Sequence, residues 1–171
     1  LLLYIIILYR VFFFLGFIVY QTAWLKAHHR SEYMAALMTI ECNNSDKVAV
    51  YIADAQKKSI EVAPPNVNHS FHDFDVPKEN RNKIQYGLCA IKGAGSKAVR
   101  AIIEERRQNG PFKTFMNFLE RIPHQHVNKK VLENLIKCGA FDWTGNPRKS
   151  LWEALPDALT AAQFSIEQKQ S

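Results

Sequence analysis

Gly87-Leu88-Cys89-Ala90-Ile91-Lys92-Gly93-Ala94-Gly95-Ser96-Lys97-Ala98-Val99 carries two glycines around a single alanine, with Ile91 before them and lysines on both sides. Glycine accepts positive φ without a Cβ penalty, so Gly93-Ala94-Gly95 predicts a tight turn, with positive φ expected at Gly95. Beyond it Val99, Ile102 and Ile103 recur at helical spacing, and Gly110-Pro111 ends a helix predicted over residues 96–108. Such a turn leaves backbone N–H groups free at a helix start, where the helix dipole adds partial positive charge, and both favour a phosphate. Lys92 and Lys97 flank the turn, and Arg100 follows one turn later. The pattern is not a Walker loop, because GxxxxGK[ST] is absent. It is not a dinucleotide fingerprint, which needs a third glycine and a strand directly before it.

A second pair of helices follows. Thr114 caps a helix with Phe115, Phe118, Leu119 and Ile122 on one face. Asn128 caps another with Val131, Leu132, Leu135 and Ile136 inward and Gly139 at its end. Two helix pairs, the first joined by Gly-x-Gly, have the layout of a helix-hairpin-helix clamp for the DNA backbone; the plainer reading is a glycine-containing connector. Lys129 and Lys130 either touch a second phosphate or form a solvated helix start. The candidate backbone-binding set is therefore Lys92, Gly93, Ala94, Gly95, Ser96, Lys97, Arg100, Lys129 and Lys130.

Charge points the same way. The 171 residues carry a net charge of +6, and the excess is local. Residues 81–113 hold Arg81, Lys83, Lys92, Lys97, Arg100, Arg106, Arg107 and Lys113 against Glu104 and Glu105, while the flanking parts nearly balance. A basic block suits a polyanion, and it equally suits a solvated helix face. The length predicts one compact domain, two at most. Cys42, Cys89 and Cys138 are far apart with no CxxC, which excludes a disulfide scaffold and a cysteine-rich zinc module and suggests a reducing, cytoplasmic setting.

Toward the N-terminus, residues 21–40 read as two helical pieces broken near His29-Arg30-Ser31, with Ser31 capping the second. Asn44 or Ser45 caps a helix to about Lys58. Ile60-Glu61-Val62 is a short strand stopped by Pro64-Pro65, and residues 71–87 are expected to form a small β-hairpin. The last helix is expected over about 149–164, interrupted by Pro156, with a frayed tail. Trp24 and Trp152 are expected as core anchors. Residues 1–18 are almost wholly Leu, Ile, Phe and Tyr: a length that spans a bilayer, a deeply buried helix, or buried strands. No basic region precedes this block and no small-residue cleavage site follows, so no secretory signal is read.

Other chemistry-bearing residues are sparse. Asp73 and Asp75 imitate a DxD pair on one outward strand face, as a solvated strand also does. His69-x-x-His72 and His124-x-His126 have no cysteine near them in sequence, and no metal site or catalytic residue is assigned.

Several independent stretches, in order, resemble the bacterial DNA polymerase III α subunits, the C-family replicative polymerases. Tyr20-Gln-Thr-Ala-Trp-Leu-Lys-Ala-His28, Glu32-Tyr-Met-Ala-Ala-Leu-Met-Thr39, Asn44-Ser-Asp-Lys-Val-Ala49 and Ile60-Glu-Val-Ala-Pro-Pro-Asn-Val-Asn68 resemble the end of that family's fingers. Tyr86-Gly-Leu88, Lys92-Gly-Ala-Gly95, Gly110-Pro-Phe-Lys113 and Asn128 to Asp142 resemble its tandem helix-hairpin-helix region. The resemblance implies a mainly α fold with a small β-hairpin. It divides the chain into an anomalous apolar segment (1–18), the end of the fingers (19–80), a helix-hairpin-helix module (81–143) and a linker with a C-terminal helix (144–171). It implies double-stranded primer–template DNA as partner, with the remaining polymerase III holoenzyme subunits. Mg2+ would serve the intact polymerase and no cofactor this piece, since the family's palm carboxylates and sliding-clamp-binding segment lie outside the matched stretch. An error-prone α-subunit paralogue in repair synthesis, or a stand-alone helix-hairpin-helix protein, are the alternatives. The family has a polar, small-residue helix where residues 1–18 stand. That block is therefore expected to be a frameshift or gene-model artefact or a lineage-specific oddity, with a membrane anchor the less favoured reading.

Overall fold

The computed structural model describes residues 2–123 and 125–170. The helices are α1 (Leu2–His28), α2 (Arg30–Ile40), α3 (Ser45–Lys57), α4 (Ser96–Asn109), α5 (Phe115–Arg121), α6 (Lys129–Lys137) and α7 (Arg148–Gln170). Two strands, β1 (Glu61–Ala63) and β2 (Lys83–Gln85), and two 3-10 turns, Leu88–Ala90 and Asp142–Thr144, complete the set.

Capping places three of the helix starts. The side chains of Asn44, Thr114 and Asn128 accept from the N–H groups of Lys47, Asn117 and Val131, satisfying donors that a first turn leaves open. The break between α1 and α2 falls at His29, where the sequence predicts it. Ser31 is not the cap: it lies inside α2 and is buried, and His29 holds the cap position without a side-chain bond.

The fold is mainly α, but its β element differs from the expected hairpin. β1 and β2 pair in parallel, with Glu61 opposite Lys83 and Ala63 opposite Gln85. Residues 64–82 form the crossover that a parallel pair requires. The segment near Phe74 adds one antiparallel bridge: the Gln85 N–H donates to the Asp75 carbonyl at 2.7 Å and the Asp75 N–H to the Gln85 carbonyl at 3.2 Å. Pro77, which has no N–H to donate, stands two residues on, so the ladder does not lengthen.

Two apolar clusters form. Met34, Ala35 and Met38 of α2 pack with Val48 and Ala55 of α3, Ile60, Phe74 and Ile84. The larger cluster gathers Val67, Leu88, Ile91 and the inner faces of α4 through α7. Its aromatic centre is Phe118, edge-on to Phe112 at 4.8 Å and to Phe141 at 4.9 Å. Arg121 ties α5 to the end of α4: Nε donates to Glu105 Oε1 at 2.9 Å, Nη2 to the Gly110 carbonyl at 2.8 Å, and the guanidinium lies 4.6 Å from the Phe112 ring centre. Asn68 pins the preceding loop to the same place. It donates to the Phe112 carbonyl at 3.0 Å and accepts from the Phe112 N–H at 2.8 Å.

Pro156 does not interrupt α7. Leu151, Leu155 and Ala162 are buried in the larger cluster, so packing outweighs the one backbone bond the ring removes, and the helix runs through the expected frayed tail to Gln170. Neither tryptophan is a core anchor. Trp24 is 43% exposed and stacks on His28. Trp152 is 47% exposed on the outer face of α7, beside the Lys137 ammonium. α1 is neither a buried helix nor a strand pair. From Tyr9 through Leu25 its large apolar side chains are exposed, Phe12 and Phe13 by more than 70%. Among the described residues no helix is long and apolar enough to cross a membrane.

Phe118→Ala is expected to destabilise the chain by about 3–5 kcal/mol, as a fully buried aromatic truncated to alanine does, read from the midpoint of a urea titration at unchanged slope.

Candidate nucleic-acid interface

The Gly-x-Gly turn sits between the 3-10 turn Leu88–Ala90 and α4, held by two buried apolar residues. Ile91 and Ala94 are 6% and 7% exposed, and the Ala94 N–H donates to the Ile91 carbonyl at 3.0 Å. Positive φ falls at Gly93 (83°), not at Gly95 as the sequence suggests. Gly95 has φ −61° and ψ 153°, extended backbone open to any residue, and acts as the N-cap of α4. The turn reverses at its first glycine because a helix start needs extended backbone at its cap. A Cβ on Gly93 would stand 2.5 Å from Asn134 Nδ2, whereas one on Gly95 would meet nothing within 4 Å. Gly93 is thus required by the fold, and Gly95 leaves an open approach to the backbone behind it.

No side chain caps α4. Its first-turn N–H groups, from Ser96 onward, point out of the helix end, and Gly95, Ser96 and Lys97 are exposed. α6 differs: Asn128 takes the Val131 N–H at 3.0 Å, so part of its helix start is already satisfied. Lys92, Lys97 and Arg100 are exposed, as are Lys129 and Lys130, and among the described residues none of the five lies in an ion pair. Lys130 precedes Asn134 by four residues on α6, hence on the face that abuts Gly93; Lys129 is turned about 100° from it.

A family profile described as "Helix-hairpin-helix motif" matches residues 59–151. The chain belongs to the helix-hairpin-helix family. It is 49% identical over 152 residues to the DNA polymerase III subunit alpha of Deinococcus radiodurans, covering 89% of this chain and 11% of that protein. It is 49% identical over 144 residues to that of Thermus aquaticus (84% and 12%), and 40% identical over 143 residues to that of Escherichia coli (84% and 12%). The chain therefore spans about an eighth of the length of these relatives.

Within the helix-hairpin-helix portion the basic block divides into two kinds of cation. Arg106 is structural: Nη1 donates to the Val67 carbonyl at 2.8 Å and the Ser70 carbonyl at 3.0 Å, over the Phe71 ring. Burial draws its guanidinium below the ordinary arginine value. Lys83 pairs with Glu61 at 2.9 Å. Sequence spacing does not separate these from the free cations, because only tertiary packing supplies carbonyls to Arg106 and a carboxylate to Lys83. Lys97 and Arg100 also line an open groove of about 990 Å³, opposite Phe71, Asp73 and Asp75. Its carboxylates disfavour phosphate there.

Sequence reasoning missed Asn134; its one trace there is an asparagine in a helix interior, where it is a poor helix former. Of the two histidine pairs, His124 lies outside the described residues, while His72 comes beside Asp73 and Cys89.

Gly93→Ala is expected to destabilise by about 1–2 kcal/mol from the left-handed backbone alone, and further by the Asn134 clash. Gly95→Val should stay within about 0.5–1 kcal/mol of the parent. Thermal unfolding of the two variants side by side checks the contrast.

Proposed function

We propose that this chain is the duplex-gripping part of a DNA polymerase III α subunit, with residues 19–80 as the end of the fingers and residues 81–143 as the clamp. It would hold primer–template DNA by its backbone, sequence-independently, in the cytoplasm, alongside the remaining holoenzyme subunits. The observation that carries this is the start of α4, without a side-chain cap, opened by Gly95 and flanked by Lys92, Lys97 and Arg100, none of which lies in an ion pair among the described residues.

The physics is simple. A phosphate oxygen accepts from two or three first-turn N–H groups while the helix dipole and the lysines neutralise its charge. No base edge is involved, so register along the duplex is free and affinity depends on salt. Ala94 keeps the turn in the core, Ser96 offers an N–H and a hydroxyl, and Lys130 extends the cationic surface from α6. Polymer extension needs Mg2+ held between paired carboxylates. Asp73 and Asp75 do not fit that task. The Asp73 carboxylate accepts from His72 Nδ1 at 2.7 Å beside a thiol, whereas Mg2+ takes oxygen ligands in an octahedron. No nucleotidyl-transfer step is assigned to this piece.

Lys97→Ala is expected to weaken binding to random duplexes uniformly and to lower the salt slope by about one unit. Gly95→Val should weaken it without unfolding the chain, because the new side chain stands where the phosphate must approach. Fluorescence anisotropy across a salt series reads both; unchanged affinity in the two variants would reduce the hairpin to a connector. The same purified chain should show no primer extension with Mg2+ and nucleotides.

A further inference from the structure

One group of side chains is not used by the DNA-binding reading and does not rest on it. Cys42 lies in the turn between α2 and α3, His72 and Asp73 in the loop leading to Phe74, and Cys89 in the 3-10 turn before the hairpin. The ligand atoms of His72, Asp73 and Cys89 all lie within 4.8 Å of one another. The Cys42 thiol stands near Cys89 but outside that set of three.

The backbone holds these donors together. The Cys89 N–H donates to the His72 carbonyl and the Leu88 N–H to the Phe71 carbonyl, each at 2.9 Å. Phe74 N–H donates to Thr39 Oγ1 at 3.1 Å, tying the loop to α2. Gly87 permits this approach: a Cβ there would stand 2.6 Å from the Phe74 nitrogen and 2.7 Å from the Asp73 carbonyl carbon. The loop and the turn are thus in backbone contact, and their side chains converge on one point.

We propose that Cys89, His72 and Asp73 form a three-ligand site, its fourth tetrahedral position left to water, for one thiophilic divalent cation of the zinc class. Bonds of about 2.0–2.3 Å place the ligand atoms of such a site roughly 3.3–3.8 Å apart, so the cluster closes by about an ångström. The 2.7 Å His72–Asp73 hydrogen bond opens by a similar, smaller amount as both atoms turn their lone pairs to the cation. A thiolate and an imidazole select a borderline-soft ion over Mg2+ or Ca2+. Binding expels the Cys89 thiol proton to solvent as the S–metal bond forms, with no change of oxidation state. Occupancy would join the loop before Phe74 to the segment that precedes the Gly-x-Gly hairpin.

The test is a titration of the reduced, chelator-treated full chain with Co2+ alone, followed by visible absorption. One equivalent should produce intense tetrahedral bands with a thiolate charge-transfer feature, and one equivalent of Zn2+ should erase them. His72→Ala and Asp73→Asn should each lower Co2+ affinity by about tenfold or more, Cys89→Ser should abolish the charge-transfer feature, and Cys138→Ser should leave the spectrum intact. Absent tetrahedral bands in the parent chain would overturn the proposal, and so would bands unchanged in His72→Ala and Asp73→Asn. Those two side chains lie at the surface, so their variants decide the matter even if circular dichroism shows Cys89→Ser unfolded.

Discussion

Phe118 is fully buried, and its edge-on contacts with Phe112 and Phe141 join three pieces of chain at the centre of the larger cluster. Phe112 comes from the loop after α4, Phe118 from α5 and Phe141 from the end of α6. The two helix pairs therefore share one core, and neither completes an apolar interior alone. Everything at the surface of this region follows from that sharing. Ile91 and Ala94 anchor the first turn because the common core extends to them. Gly93 reverses the chain there in the left-handed region, with the Asn134 amide of α6 beside it.

Charge in this chain has two occupations, and packing assigns them. Arg106 and Arg121 are drawn inward, where backbone carbonyls of loops 67–70 and 110–111 accept from them. They close loops that would otherwise leave carbonyls without donors. Lys92, Lys97 and Arg100 remain outside, in no ion pair among the described residues, beside the helix start that has no side-chain cap. The two features reinforce each other, since unsatisfied N–H groups and unpaired cations both seek an anion, and the glycine at position 95 keeps the way to them open.

The short sheet has a similar organising role at the other end. β1 and β2 are only three residues each, yet their parallel pairing forces residues 64–82 into a crossover that returns past the larger cluster. That crossover carries Asn68 to Phe112, Ser70 to Arg106, and His72 with Asp73 to Cys89.

The amino-acid sequence by itself determined the helices and most of their limits. Asparagine and threonine caps, Gly110-Pro111 and Gly139 act through local backbone chemistry, which neighbours in sequence decide. It also determined the position of the Gly-x-Gly turn and the location of the charge excess. Which glycine takes positive φ, which arginines turn inward, that the strands run parallel, that Pro156 stays within a helix, and that His72, Asp73 and Cys89 converge were decided only by the tertiary structure. Each depends on groups tens of residues away, and such a neighbour leaves no mark on local spacing or composition. α1 shows the same division in reverse: its sequence makes a helix and demands cover for its apolar side chains, but no packed partner among the described residues supplies that cover, and they stand exposed.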